Sequence, residues 1–376
     1  MTPHHVPPAP PADSSVTTGN APAKLRLTHV SDLLGALPAL LGYYPEESIV
    51  VMCMGGPRRT DFTGFIRADV PFDADGAVCF DVLPEVVSSL IQFCDSNGVN
   101  TVLLAVISDT SPLLAADITD AVIEGLECAG ISVGAAYMAP RISAGERWRS
   151  ELPIRDEGVI ADPRESAVAA ELVAAGRMIR PSRSDLVTEL ECADEQQSQR
   201  IAKKLKLLPS HKRRAKSPED AHHLERVLFA VSSIDCWEQP GDEECVALAE
   251  ALLRIPVRDC VFALALTDEA EPAERLWTVL TRYLPEPARA EAATLLAHSA
   301  YVRGDGTLAG VALDIALGAD SEHRMARLLD TALRAGTPPN VIAEIATIGW
   351  QLAEALGVTL PPLALPLASE RSRHAT

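Results

Sequence analysis

The chain predicts a mixed α/β domain followed by an all-helical domain. Three observations carry that expectation. Short β-branched runs alternate with helical patterns up to about residue 160, and beyond residue 165 every periodic segment has helical spacing and ends near a proline. Apolar residues make up 47% of the chain but aromatics only 4%, an aliphatic, alanine-rich supply that suits helices packed through small side chains. With 376 residues the chain exceeds what one typical core supports, so at least two domains are expected.

Residues 1–23 are rich in Pro, Ala, Ser and Thr without apolar periodicity and predict a disordered leader. Residues 31–41 predict a helix capped by Ser31, with Pro38 kinking it or starting a second short turn. Residues 49–54 predict a buried strand, 55–60 a loop, and 62–70 an antiparallel partner, which together make a hairpin. An amphipathic helix over 82–94 stops at Asn97 and Gly98, residues that tolerate the left-handed backbone of a helix end. A strand over 101–107, a helix over 113–128 and a strand over 131–138 follow, an order that implies parallel crossover units. Residues 147–152 predict a short edge strand that closes a domain spanning 24–160. A helical connector with a basic linker is expected over 161–217, and a helical domain over 218–376.

Composition excludes several function classes. No run approaches the ~18 apolar residues that span a bilayer, and the leader has no Lys or Arg ahead of an apolar core, so neither membrane insertion nor secretion is expected. Eight cysteines are scattered without a Cys-x-x-Cys pair, which argues for reduced, mostly buried thiols in a cytoplasmic protein and against zinc or iron-sulfur sites. A net charge of -19 opposes nucleic-acid binding by the protein as a whole. Against that background Lys203, Lys204, Lys206, His211, Lys212, Arg213, Arg214 and Lys216 form a basic stretch free of acids. Lys212, Arg213, Arg214 and Lys216 are its candidate polyanion-binding residues. The competing expectation, which we favour, is a helix whose Ile201, Leu205 and Leu208 face the core while the lysines solvate its outer side.

Candidate sites begin at the turn before the first buried strand. Glu47 there has the chemistry of a base, and Ser48 that of a nucleophile or hydrogen-bond donor; Tyr44 lies beside them. Pro45 followed by acids and serine is also ordinary turn chemistry, and Gly-x-Ser-x-Gly is missing, so a binding role is preferred over catalysis. Arg67 and Asp69 share a strand face with Phe65, where a solvated ion pair is expected ahead of an anion-binding role. Residues 108–112 follow a strand and precede a helix, where open sheets place ligands, although capping by Asp109 or Thr110 explains them fully and is the preferred expectation. Arg147, Trp148 and Arg149 combine an indole with two guanidinium groups suited to a phosphate or carboxylate.

Other patterns fall short. Gly304, Gly306 and Gly310 lack both the spacing and the preceding strand of a dinucleotide loop, so a turn with Thr307 capping a helix is expected. Glu219 and His222 have Glu-x-x-His spacing but no second copy, which leaves a solvated helix start. A phosphate-binding P-loop motif is missing as well, and no cofactor or metal is expected.

Leu40-Leu41-Gly42-Tyr43-Tyr44-Pro45-Glu46-Glu47-Ser48-Ile49-Val50, with Arg147-Trp148-Arg149-Ser150, resembles an uncharacterised actinobacterial family, a domain of unknown function. In that family a leucine-rich helix runs into Leu-Gly-(Phe/Tyr)-x-Pro-x-x-Ser and a valine-rich strand. The likeness continues through 67–71 and 304–309, covering most of the chain after residue 24. It implies a cytoplasmic protein with no established activity. The cysteine-containing stretch that usually follows the Arg-Trp-Arg-Ser segment is missing from 151–158, which takes support from any metal or redox role. The function expected is therefore non-catalytic: binding of a small anionic ligand or a protein partner through the α/β domain, near Tyr44, Glu47, Ser48, Arg67, Asp69, Trp148 and Arg149. The alternatives are a hydrolase using Glu47, Ser48 or Asp69, and a nucleic-acid-associated protein using the basic linker.

Overall fold

The computed structural model of the chain describes residues 16–20, 29–55, 61–73, 75–174, 178–207, 218–237 and 239–364. They form two compact units, Met1–Ile179 and Arg180–Thr376. The segment 161–217 expected as a connector is thus shared between them, and the basic residues 208–217 lie outside the described residues.

The first unit contains β1 (Val16–Asn20), α1 (Val30–Leu41), β2 (Ser48–Gly55), β3 (Asp61–Asp69), α2 (Leu83–Ser96), β4 (Thr101–Ile107), α3 (Pro112–Cys128), β5 (Ser132–Ala139), β6 (Arg147–Leu152), β7 (Asp156–Val159) and α4 (Ala167–Ala174). Its seven strands form one sheet in the order β1-β3-β2-β4-β5-β6-β7. The expected hairpin is present as β2 and β3. β4 and β5 are the parallel pair, joined across one face by α3, whereas β2 runs antiparallel to both β3 and β4. Parallel crossovers therefore account for only part of a mixed sheet.

Three elements depart from the sequence expectation. Val16–Asn20, inside the leader read as disordered, adds an edge strand to β3, because Val and Thr can pair along an open strand edge once one is available. Pro38 does not divide α1, which runs unbroken from Val30 to Leu41. Every residue from Leu33 to Leu41 in that helix is buried, so packing outweighs the local penalty of an internal proline. β7, absent from the sequence reading, pairs with β6 although its residues Asp156, Glu157, Gly158 and Val159 carry little strand propensity.

Alternation along the strands sends side chains into two layers. Ile49, Val51, Ile66, Val102, Leu104, Val106 and Met138 pack with α2 and α3. Val50, Met52, Phe65, Ala105, Ile107 and Trp148 pack with α1 and α4 on the other face.

The second unit consists of α5 (Arg183–Glu189), α6 (Glu195–Leu207), α7 (Asp220–Ser233), α8 (Asp242–Leu252), α9 (Ile255–Val261), α10 (Ala270–Tyr283), α11 (Ala288–Arg303), α12 (Gly306–Ala319), α13 (Arg324–Arg334), α14 (Pro339–Ala346) and α15 (Ile348–Leu356). It is helical throughout its described residues apart from an isolated bridge between Thr267 and Leu363. α11 is central, and every residue from Ala292 to Tyr301 is buried. Its alanines allow close approach on all sides, whereas peripheral α13 buries only the stripe Ala326, Leu329 and Leu333. Between α11 and α12, Gly304 takes φ 86° and Asp305 Oδ1 accepts from Leu308 N–H at 3.0 Å. The cap is therefore Asp305, and Thr307 lies within the helix. The start of α7, read as solvated, is also different: Asp220 is fully buried and bonds Arg254 at 2.8 Å. Among the described residues no helix is long and apolar enough to cross a membrane.

Candidate functional site

One end of the sheet collects most of the polar residues singled out above. Ser48, the first residue of β2, lies opposite Asp69 of β3 and Ile107 of β4, and Ile107 lies opposite Ala139 of β5. The turn into β2 is made by Glu47 with φ 40°, a left-handed conformation rare for a side chain other than glycine. Such a conformation costs on the order of 1–3 kcal/mol and persists where neighbours fix it. Here the Glu47 carbonyl accepts from Val70 N–H at 2.8 Å, and its carboxylate accepts from Ser108 Oγ at 2.5 Å and Asp109 N–H at 3.0 Å.

Alternation then sorts the candidates into two separate groups. Arg67 lies on the α1 face and is 3% exposed, so the solvated ion pair expected for it is instead largely interior. Its Nε and Nη2 donate to Ser48 Oγ at 2.8 and 2.6 Å, Nη2 also donates to the Glu46 carbonyl at 3.2 Å, and Asp69 completes the ion pair. The Tyr43 ring sits 5.9 Å from the guanidinium carbon. Tyr43, not Tyr44, is thus the tyrosine that packs on Arg67. Ser48 Oγ donates to the Glu46 carbonyl at 2.6 Å and receives both Arg67 bonds, which fills its hydrogen-bonding capacity and ties the turn to β3.

The second group surrounds a cavity of about 310 Å³ near the carboxyl ends of β4 and β5, between the start of α3 and β5-β6-β7. Ser108, Thr110, Arg147, Arg149 and Glu157 supply its polar lining, and Pro112, Ala115, Met138, Ala139 and Pro140 its apolar walls. Met138, Arg149 and Glu157 stand opposite one another across three strands, which places them on the same face. Ser108 connects the cavity to Glu47, with its Oγ also 2.9 Å from Thr110 Oγ1. The cap of α3 is Ser111, whose Oγ accepts from Leu114 N–H at 3.3 Å, so Ser108, Asp109 and Thr110 are not needed for that purpose. Asp109 instead pairs with Arg141 at 3.3 Å in an exposed position.

Arg149 donates to the Pro112 carbonyl, and among the described residues neither Arg147 nor Arg149 has a carboxylate at ion-pair distance. Trp148 borders the cavity, but its ring turns to the opposite face. There it meets Tyr137 edge-on at 5.9 Å, and Gly158 lies so close that a Cβ would fall 2.8–2.9 Å from the indole. Burial, and secondarily the charge of Asp156, push the Tyr137 phenol up. The indole and guanidinium groups that looked like one grip in sequence therefore serve different layers. Glu157 was missed as a candidate, and Ser108 was weighed only within the segment 108–112, where helix capping was preferred. Ser108 had been visible only as a residue after a strand, and Glu157 depends on the β6–β7 register.

The fold and site define a mixed α/β unit with a cavity at its strand ends, followed by a helical unit. The chain belongs to the family described as Domain of unknown function (DUF4192), whose profile matches residues 31–340. Comparison with curated proteins and with solved structures finds no match.

Proposed function

We propose that the α/β unit is a non-catalytic cytoplasmic binding module that takes a small anionic ligand in the cavity at the carboxyl ends of β4 and β5. The helical unit would act as an interaction module. The observation that carries this reading is the pair Arg147 and Arg149: two guanidinium groups beside two hydroxyls and a single glutamate, Glu157, with no carboxylate at ion-pair distance among the described residues, in a chain where acids outnumber bases 52 to 33. Ligands in open α/β sheets sit beyond the carboxyl ends of parallel strands, where this cavity lies. The eight cysteines are all unpaired, which supports a reducing compartment.

A hydrolase using Ser48 has less support. Ser48 is fully buried and its hydroxyl is saturated, and Asp69 is engaged by Arg67, so neither is disposed toward a substrate. The Glu47 carboxylate already accepts hydrogen bonds from the Ser108 hydroxyl and the Asp109 N–H, and no histidine among the described residues joins the cluster. For the nucleic-acid reading, Lys204 is held by Glu243 at 2.7 Å and Asp242 at 3.5 Å, while Ile201 is buried, consistent with a solvated helix face. The test is thermal unfolding of the intact chain with acetate, phosphate or sulfate. A site filled at ten times its Kd stabilises by about 1.4 kcal/mol, or roughly 3–5 °C for a unit of this size. The shift should fall to about a third or less in Arg147→Gln and Arg149→Gln, as a tenfold loss of affinity requires; no shift with any organic or inorganic anion would refute the reading.

A further inference from the structure

The dimensions and wall chemistry of the cavity narrow the ligand further. At about 310 Å³ it has the volume of roughly ten water molecules, several times what a bare inorganic anion occupies. Its walls at Met138, Ala115, Pro112 and Pro140 offer no hydrogen bonds from their side chains. An inorganic ion would leave those walls unfilled, so the driving force they can supply is used only by a ligand with an apolar body. The charged lining is two arginines and one glutamate, a net single positive charge that matches a monoanion better than a dianion.

We infer that the ligand is a small monoanionic organic acid, its anionic head set by Arg147 and Arg149 and its apolar body packed between Met138 and the first turn of α3. This rests on the anion-binding reading above and goes beyond it. Arg147 is exposed and has no side-chain partner among the described residues, so its loss should spare the fold. Arg149 faces Met138 directly in the sheet, which places a cation beside the apolar wall as an amphipathic ligand needs.

Isothermal titration of the intact chain decides it, with phenylacetate as the probe and acetate, inorganic phosphate and 2-phenylethanol as comparisons. Phenylacetate is expected to bind at least about tenfold more tightly than acetate, phosphate or 2-phenylethanol, and to weaken about tenfold in Arg147→Gln. A second variant, Ala115→Leu, fills the wall and should reduce phenylacetate binding more than acetate binding. Should acetate or phosphate bind as well as phenylacetate and depend on Arg147, the cavity is an anion site and the organic-acid assignment falls. Equal binding of 2-phenylethanol would remove the role of charge and overturn the assignment too. If none of the four binds, the anion-binding reading fails together with it.

Discussion

His298 makes the helical unit sensitive to acid. It lies in α11, 1% exposed, with the Phe262 ring edge-on at 4.8 Å. Burial pushes the imidazole down from 6.5 to about 4, opposed by the backbone of Ile342. Between those two values the unfolded chain binds a proton that the folded chain refuses, so stability falls as pH drops from about 6.5 and the loss is complete below about 4. In full this amounts to about 3 kcal/mol, of which about 2 kcal/mol is already gone at pH 5. The perturbation is His298→Leu, which keeps an apolar side chain against Phe262 and removes the titration. Calorimetry of the intact chain at pH 7 and pH 5 should show the helical-unit transition of the wild type falling about 4–8 °C further than that of the variant, at roughly 2–4 °C per kcal/mol. The absolute stability of the variant does not matter, because carboxylates such as Glu291 titrate alike in both chains and cancel. Parallel losses in the two proteins would refute the argument.

Two other perturbations follow from buried polar pairs. Asp220→Ala leaves Arg254, about 5% exposed, without its buried partner and should cost about 3–5 kcal/mol by chemical denaturation, while Asp220→Leu combined with Arg254→Met should recover most of that loss. Ser48→Ala removes the acceptor of two Arg67 bonds and should cost about 1–3 kcal/mol, yet leave anion binding at the cavity within about tenfold, because the Arg67 cluster lies on the other face of the sheet.

Element type was legible wherever period and burial agreed. The strands 101–107 and 147–152 and the helix after residue 112 are where the sequence places them, because each couples its apolar period to a clear terminator. β1 and β7 were not legible, since their residues form strands only when β3 and β6 present open edges. Register decides the site in the same way. From sequence, Arg147, Trp148 and Arg149 form one cluster, and so do Glu47, Ser48 and Arg67. A strand sends neighbours to opposite faces, and a single left-handed residue at Glu47 turns its carboxylate toward Ser108 while Ser48 turns toward Arg67. Nearness in the chain therefore does not decide which groups share a face, and pairing across the successive strands β5, β6 and β7 sets Met138, Arg149 and Glu157 side by side. Substituting Glu47 with glycine should relax the turn's backbone but release Ser108, so it ought to alter cavity binding without the large stability loss expected at Ser48. Comparing the two variants by denaturation and by anion titration would show whether the strained turn serves the cavity or the fold.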